Sequence, residues 1–156
     1  MRIVTFVFVV CLAFASAAAA GPSPLVPPFT QKLIRARAGT LAYVPTRSPF
    51  GYRYLSYSWN RATRILNVRL HDEHYRAGNA RHTATFTATW FGGSLASCAN
   101  GKQKTIQYDG NKVYWDNGVA WRCVRGAGGR NVKLLAAAPT LPDVALAQIV
   151  SSGKRL

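Results

Sequence analysis

Residues 83–90 alternate without a break between threonine (Thr83, Thr85, Thr87, Thr89) and an apolar side chain (Ala84, Phe86, Ala88, Trp90). A period of two puts every threonine on one face of a β-strand and every apolar group on the other, an arrangement that a helix, with its 3.6-residue period, cannot give. Such a strand needs a neighbour on each edge and a cover over its apolar face. The flanking sequence offers both. Leu66, Val68 and Leu70 alternate in the same manner, and before them Leu55, Tyr57 and Trp59 alternate with Ser56 and Ser58, with residues 60–62 placed to turn the chain. Residues 41–44 are apolar and end at Pro45. After the threonine strand come residues 103–108, a tight turn at Asp109-Gly110-Asn111, residues 113–115, and residues 119–124 joined to them through Asn117-Gly118, a strong two-residue hairpin signal. Residues 132–137 complete the set.

Two segments have helical spacing instead. In residues 30–38 Thr30 is a candidate N-cap, Leu33 and Ile34 are apolar, and Gly39 is placed to stop the helix. Over residues 141–152 Pro142 and Asp143 suit a first turn, Leu146, Ile149 and Val150 form an apolar stripe, and Gly153, Lys154 and Arg155 suit a C-terminus. No βαβ rhythm is present. The expectation is an α+β fold: a mainly antiparallel sheet of about six or seven strands, packed by the C-terminal helix and by a short N-terminal one.

Residues 1–20 read as a secretory signal, with Arg2 at the start, an apolar run, and small residues up to Ala20. The run is shorter than a membrane-spanning helix requires, and no later apolar run reaches that length. Residues 21–29 contain Pro22, Pro24, Pro27 and Pro28 and are expected to form an extended linker ahead of a domain over residues 30–156. Cys11 falls within the signal, which leaves Cys98 and Cys123. An even pair in an exported chain is the signature of a disulfide, and closing this loop would restrict the unfolded chain by about 3.5 kcal/mol.

Tyr43, Pro45, Pro49, Gly51 and Tyr52 form a Tyr-x-Pro-x-x-x-Pro-x-Gly-Tyr stretch. Further on, Gly110-Asn111-Lys112-Val113-Tyr114-Trp115 leads into Gly118-Val119-Ala120-Trp121, and a helix at Asp143 to Val150 follows. Together these resemble a group of bacterial extracytoplasmic domains of unknown function, some related to the half-barrel of periplasmic lipoprotein carriers and envelope-stress sensors. The resemblance implies an antiparallel half-barrel outside the cytoplasm and carries no catalytic residues. The chain departs from the group in its strong positive charge and in its Cys98 and Cys123 pair.

No phosphate loop, dinucleotide fingerprint, zinc-finger spacing or nucleophile elbow occurs in the chain, and no cofactor is expected. The densest polar cluster is His71-Asp72-Glu73-His74 with His82. In a turn these side chains could converge on a transition metal, or His71 and His74 could serve a small hydrolase; a solvated loop accounts for the same composition. Asp109 and Asp116 suit the turns they flank. The threonine row resembles flat ice- or sugar-binding surfaces, although a solvated sheet face of good β-propensity explains it as well. Tyr114, Trp121 and Cys123 would share one face of the Asn117-Gly118 hairpin, with Val113 and Trp115 on the other, where either the C-terminal helix covers them, as its apolar stripe favours, or Trp115 joins an exposed aromatic patch.

Charge narrows the partners. Lysine and arginine number 20 against 5 acidic residues, a net charge of +15, and the signal would remove only Arg2 from that excess. Arginine outnumbers lysine 14 to 6. A positive field of this size attracts polyanions. The basic surface is expected to include Arg53, Arg64, Arg69, Lys102, Lys104, Lys112, Arg122 and Arg125, binding anionic polymers of the cell envelope or an acidic protein partner. Export disfavours nucleic acid as the native target, and a monomer is expected. Two other readings are a carrier or sensor with an apolar cavity lined by Leu66, Phe86 and Trp90, and the small hydrolase.

Overall fold

The computed structural model describes residues 24–99, 101 and 103–156; the expected signal at 1–20, the start of the proline-rich stretch and Lys102 lie outside them. Helix α1 spans Pro28–Ala38. It starts earlier than expected, with Pro27 and not Thr30 at the N-cap and no side-chain cap. A proline at the first helical position loses no intrahelical bond and already has a helical φ, so Pro28 opens the helix instead of extending the linker. Val26 just before it is 1% exposed, so this part of the linker is packed down. Gly39, at φ +54, ends α1 as expected.

The main sheet has seven strands: β2 (Arg53–Asn60), β3 (Ile65–His71), β4 (Thr83–Phe91), β5 (Lys104–Tyr108), β6 (Asn111–Asp116), β7 (Val119–Arg125) and β8 (Asn131–Ala137). Their spatial order is β2-β3-β4-β8-β7-β6-β5, antiparallel throughout. A second, two-stranded sheet pairs β1 (Tyr43–Pro45) with β9 (Gly153–Arg155). The fold class is α+β, with a mainly antiparallel sheet.

Within β2 the register shifts between Tyr54 and Ser56. The bulge drops Leu55 from the alternation, so that Tyr54, Tyr57 and Trp59 stand opposite Leu70, Val68 and Leu66 on one face. That face is the core. Leu66, Val68, Leu70, Phe86, Val113 and Leu134 have zero exposure. Helix α2 (Asp143–Ser151) packs on β5 to β8 through Leu146, Ile149 and Val150, and α1 covers β2. Trp115 is half-buried against this core, on the helix-covered side. Among the described residues, no helix is long and apolar enough to cross a membrane.

Gly153, Lys154 and Arg155 do not end the helix but form strand β9. Two features favour the strand. A Cβ at Gly153 would lie 2.9 Å from Leu134 Cδ1 and 3.0 Å from the Phe86 ring, so only glycine lets the backbone lie this close to the core. Ser152 then fixes the position, its Oγ accepting from the N–H of Thr46 (3.2 Å) and of Arg47 (3.1 Å), and Leu156 N–H donates to Ala42 O at 2.8 Å.

Neighbouring strands in the main sheet follow one another in the chain except β4 and β8, because the chain crosses from β4 in the middle of the sheet to β5 at its far edge. This crossover lies on the open face of the sheet. Asn131 of β8 donates its Nδ2 to Gly93 O at 2.8 Å, Trp121 of β7 donates its Nε1 to Cys98 O at 3.0 Å, and Cys98 is disulfide-bonded to Cys123 of β7.

Candidate polyanion-binding surface

Strand parity decides which cations share the open face. Arg53 stands opposite His71, Arg69 opposite Ser56 and Thr85, Lys112 opposite Gln107, and Arg125 opposite Asn131. All four are on the face that α1 and α2 leave uncovered. Lys133, missing from the expected set, joins them between Thr89 and Cys123. The alternation of Val132, Leu134 and Ala136 towards the core would have revealed it. The Lys133 ammonium lies 4.9 Å from the centre of the Trp121 ring, and Lys112 lies 5.5 Å from that of Tyr114, both in cation–π range. Burial pushes the Lys133 pKa below the usual lysine value.

A row of polar and aromatic side chains, broken by Leu135, crosses all seven strands between these cations: Ser58, Asn67, Thr87, Leu135, Trp121, Tyr114 and Thr105. Thr87 donates its Oγ1 to Asn67 Oδ1 at 2.7 Å, and Tyr114 and Trp121 have ring centres 6.1 Å apart.

Other expected members lie elsewhere. Arg122 faces the covered side of β7, in line with Ala120, and donates to Asn111 Oδ1 and, at 3.1 Å, to Gly153 O. Burial lowers its pKa. It is a clamp between β6 and β9 and not a surface cation, because a strand's alternation leaves it no other face. Lys104 projects from the covered side of β5, its ammonium 5.1 Å from the centre of the Trp115 ring. Arg64 sits in the β2–β3 turn at φ +53. Lys102 lies outside the described residues.

The acids are segregated from much of this charge. Asp72, Glu73 and Asp116 lie on a connection or a strand terminus at the end of the sheet where β3 and β8 finish, and Asp143 opens α2 after β8. Asp109, at the other end, pairs with Arg47. Among the described residues, the remaining arginines and lysines have no carboxylate partner.

The histidine segment is a hydrogen-bonded loop. Asp72 Oδ2 is 2.8 Å from His82 Nδ1, its Oδ1 accepts from His74 N–H at 2.9 Å, and the His74 and His82 rings are 5.8 Å apart. His71 turns its Nδ1 to Asp72 O and stacks near Tyr75. Among the described residues no three metal-ligating side chains converge, and no hydroxyl bonds to the His82 ring. Neighbouring Thr83 and Thr140 donate to the carbonyls of Ala80 and Arg81. Desolvation would raise the Asp72 pKa, but the bonds from His82 and the His74 N–H outweigh it and leave the carboxyl below its usual value. A carboxylate lowered by folding stabilises the fold above its unfolded pKa and loses that contribution as pH falls through its folded pKa. Asp72→Asn is therefore expected to flatten the acid side of a plot of thermal midpoint against pH; an unchanged acid limb would show that the loop does not couple to folding.

The apolar cavity expected under the sheet is absent from its expected lining. Leu66 and Phe86 have zero exposure within the packed core, where the two helices and β9 fill the space, and Trp90 lies at its margin. Comparison of the chain with family models, with curated proteins and with solved structures found no match.

Proposed function

We propose that this chain is an exported, non-catalytic binding module that holds anionic polymers of the cell envelope against the open face of its sheet. One observation carries the reading: Arg53, Arg69, Lys112, Arg125 and Lys133 share that face, while Asp116 is the one acid in its described strands. Guanidinium and ammonium groups without carboxylate partners, spread across a sheet, hold carboxylate, sulfate or phosphate groups, and half-buried Tyr114 adds flat apolar area beside Lys112. Export is supported by residues 1–20 and by the Cys98–Cys123 bridge, which persists in oxidising compartments.

Binding to an acidic polysaccharide, followed by calorimetry, is expected to weaken roughly 100-fold between 50 and 200 mM salt if four or five contacts release counterions. Binding that ignores salt, or none at the lower concentration, refutes the proposal.

A further inference from the structure

At the end of the sheet where β2 turns into β3, a cavity of about 240 Å³ is lined by Arg37, Thr40, Trp59, Arg61, Arg64 and Trp90. We propose that this cavity is a site for one acidic sugar residue, its oxyanion held by the three arginines and its ring lying on the indoles. This rests on the reading of the chain as a polyanion binder and adds where and how one unit of the polymer would be recognised.

Three elements meet here. The last turn of α1 brings Arg37, the β2–β3 turn brings Arg61 and Arg64, and the ends of β2 and β4 bring Trp59 and Trp90. The negative end of the α1 dipole accounts for an arginine at position 37. Arg61 and Arg64 stand exposed on the β2–β3 turn. Among the described residues, Arg61 and Arg64 have no carboxylate partner and no acid lines the cavity. Arg64 also occupies the left-handed region at φ +53, where glycine or asparagine would be less strained. A strained backbone at an arginine that lines a cavity fits a binding role for that side chain.

The two indoles in the lining bear on the shape of the ligand. Trp90 also lines an adjacent cavity of about 400 Å³ with Arg130, whose guanidinium lies 5.5 Å from the indole centre. The indole therefore borders both spaces and already carries one cation on its ring. The cavity at Arg61 is smaller than the ~300–1,000 Å³ typical of sites for drug-sized molecules, which favours one ring with its charged group over a lipid chain or stacked bases. Arginine matches an oxyanion through paired N–H donors where lysine offers a point charge.

The test compares the full-length mature chain with R61Q/R64Q, with R64G and with the open-face variant R69Q/K133Q. Each is titrated with a short oligosaccharide of uronic acid, a sulfated oligosaccharide of equal length, and a single-stranded thymidine oligonucleotide of equal charge. R61Q/R64Q is expected to lose at least tenfold affinity for one or both oligosaccharides, and whichever loses more identifies carboxylate or sulfate. R69Q/K133Q should lose less on these short ligands and more on long polymer. R64G removes the guanidinium while relieving the left-handed strain, so it should bind weakly yet melt at the same temperature or higher, separating lost binding from lost folding. Oligosaccharide binding unaffected by R61Q/R64Q overturns this site and leaves the polymer reading intact. Equal loss for the oligonucleotide assigns the cavity to nucleic acid instead. If the unsubstituted chain binds no polyanion at low salt, both proposals fall.

Discussion

Replacing Cys98 and Cys123 together by serine is expected to cost about 3.5 kcal/mol of stability, and to lower the thermal midpoint by on the order of 10 °C. The bridge closes residues 98–123, which hold the end of the crossover with β5, β6 and most of β7, so without it the unfolded ensemble regains that freedom. The folded state is affected as well. Trp121 is 9% exposed, though it belongs to the otherwise open face, and Cys98 supplies the carbonyl that accepts its Nε1. With the bridge gone, the crossover is held on this face chiefly by hydrogen bonds such as Asn131 to Gly93. Denaturant unfolding followed by tryptophan emission should report both effects: a lower midpoint, and a red-shifted native spectrum as water reaches Trp121. Replacing both cysteines avoids leaving a free thiol. An unchanged midpoint would mean that the crossover is held without the bridge.

Phe86→Ala is expected to be the most damaging single substitution in the sheet, at about 3–5 kcal/mol, because it removes a ring that neighbouring groups cannot replace. Phe86 has zero exposure, lies between Val68 and Ala136 on the adjacent strands, and meets the β9 backbone at Gly153. The cavity would open under both the main sheet and the two-stranded one. Phe50 provides the contrast. It is fully exposed, and Phe50→Ala should stay within about 0.5 kcal/mol. Chemical denaturation of the two variants checks the pair; similar losses would show that the core does not centre on β4.

The parts of this fold readable beforehand are those set by local periodicity. The threonine strand, its two predecessors and the Asn117-Gly118 hairpin each carry a period-two pattern or a turn requirement within a few residues, and each forms where expected. What escaped depends on distant chain. Nothing near Gly153 announces a strand, since its partner is Tyr43–Pro45 at the opposite end of the sequence. Leu55 looked like a core residue because a bulge cannot be read from alternation that happens to continue. The candidate surface divided the same way. Arg53, Arg69, Lys112 and Arg125 were found by charge, but charge without strand phase also included Arg122, which the sheet turns inward, and missed Lys133, which it turns out. Trp59, Arg61 and Trp90 come together only because three separate elements end at one corner.

The pairing of β1 with β9 also constrains the order of assembly. Thr46 and Arg47 are fastened to Ser152 across more than a hundred positions, and Ala42 to Leu156. Such distant contacts carry a large loop-closure cost and form late. The clasp across the helical side cannot close before residues 152–156 are free to fold back onto residues 42–47, so until then the folding chain leaves part of its apolar layer unsealed.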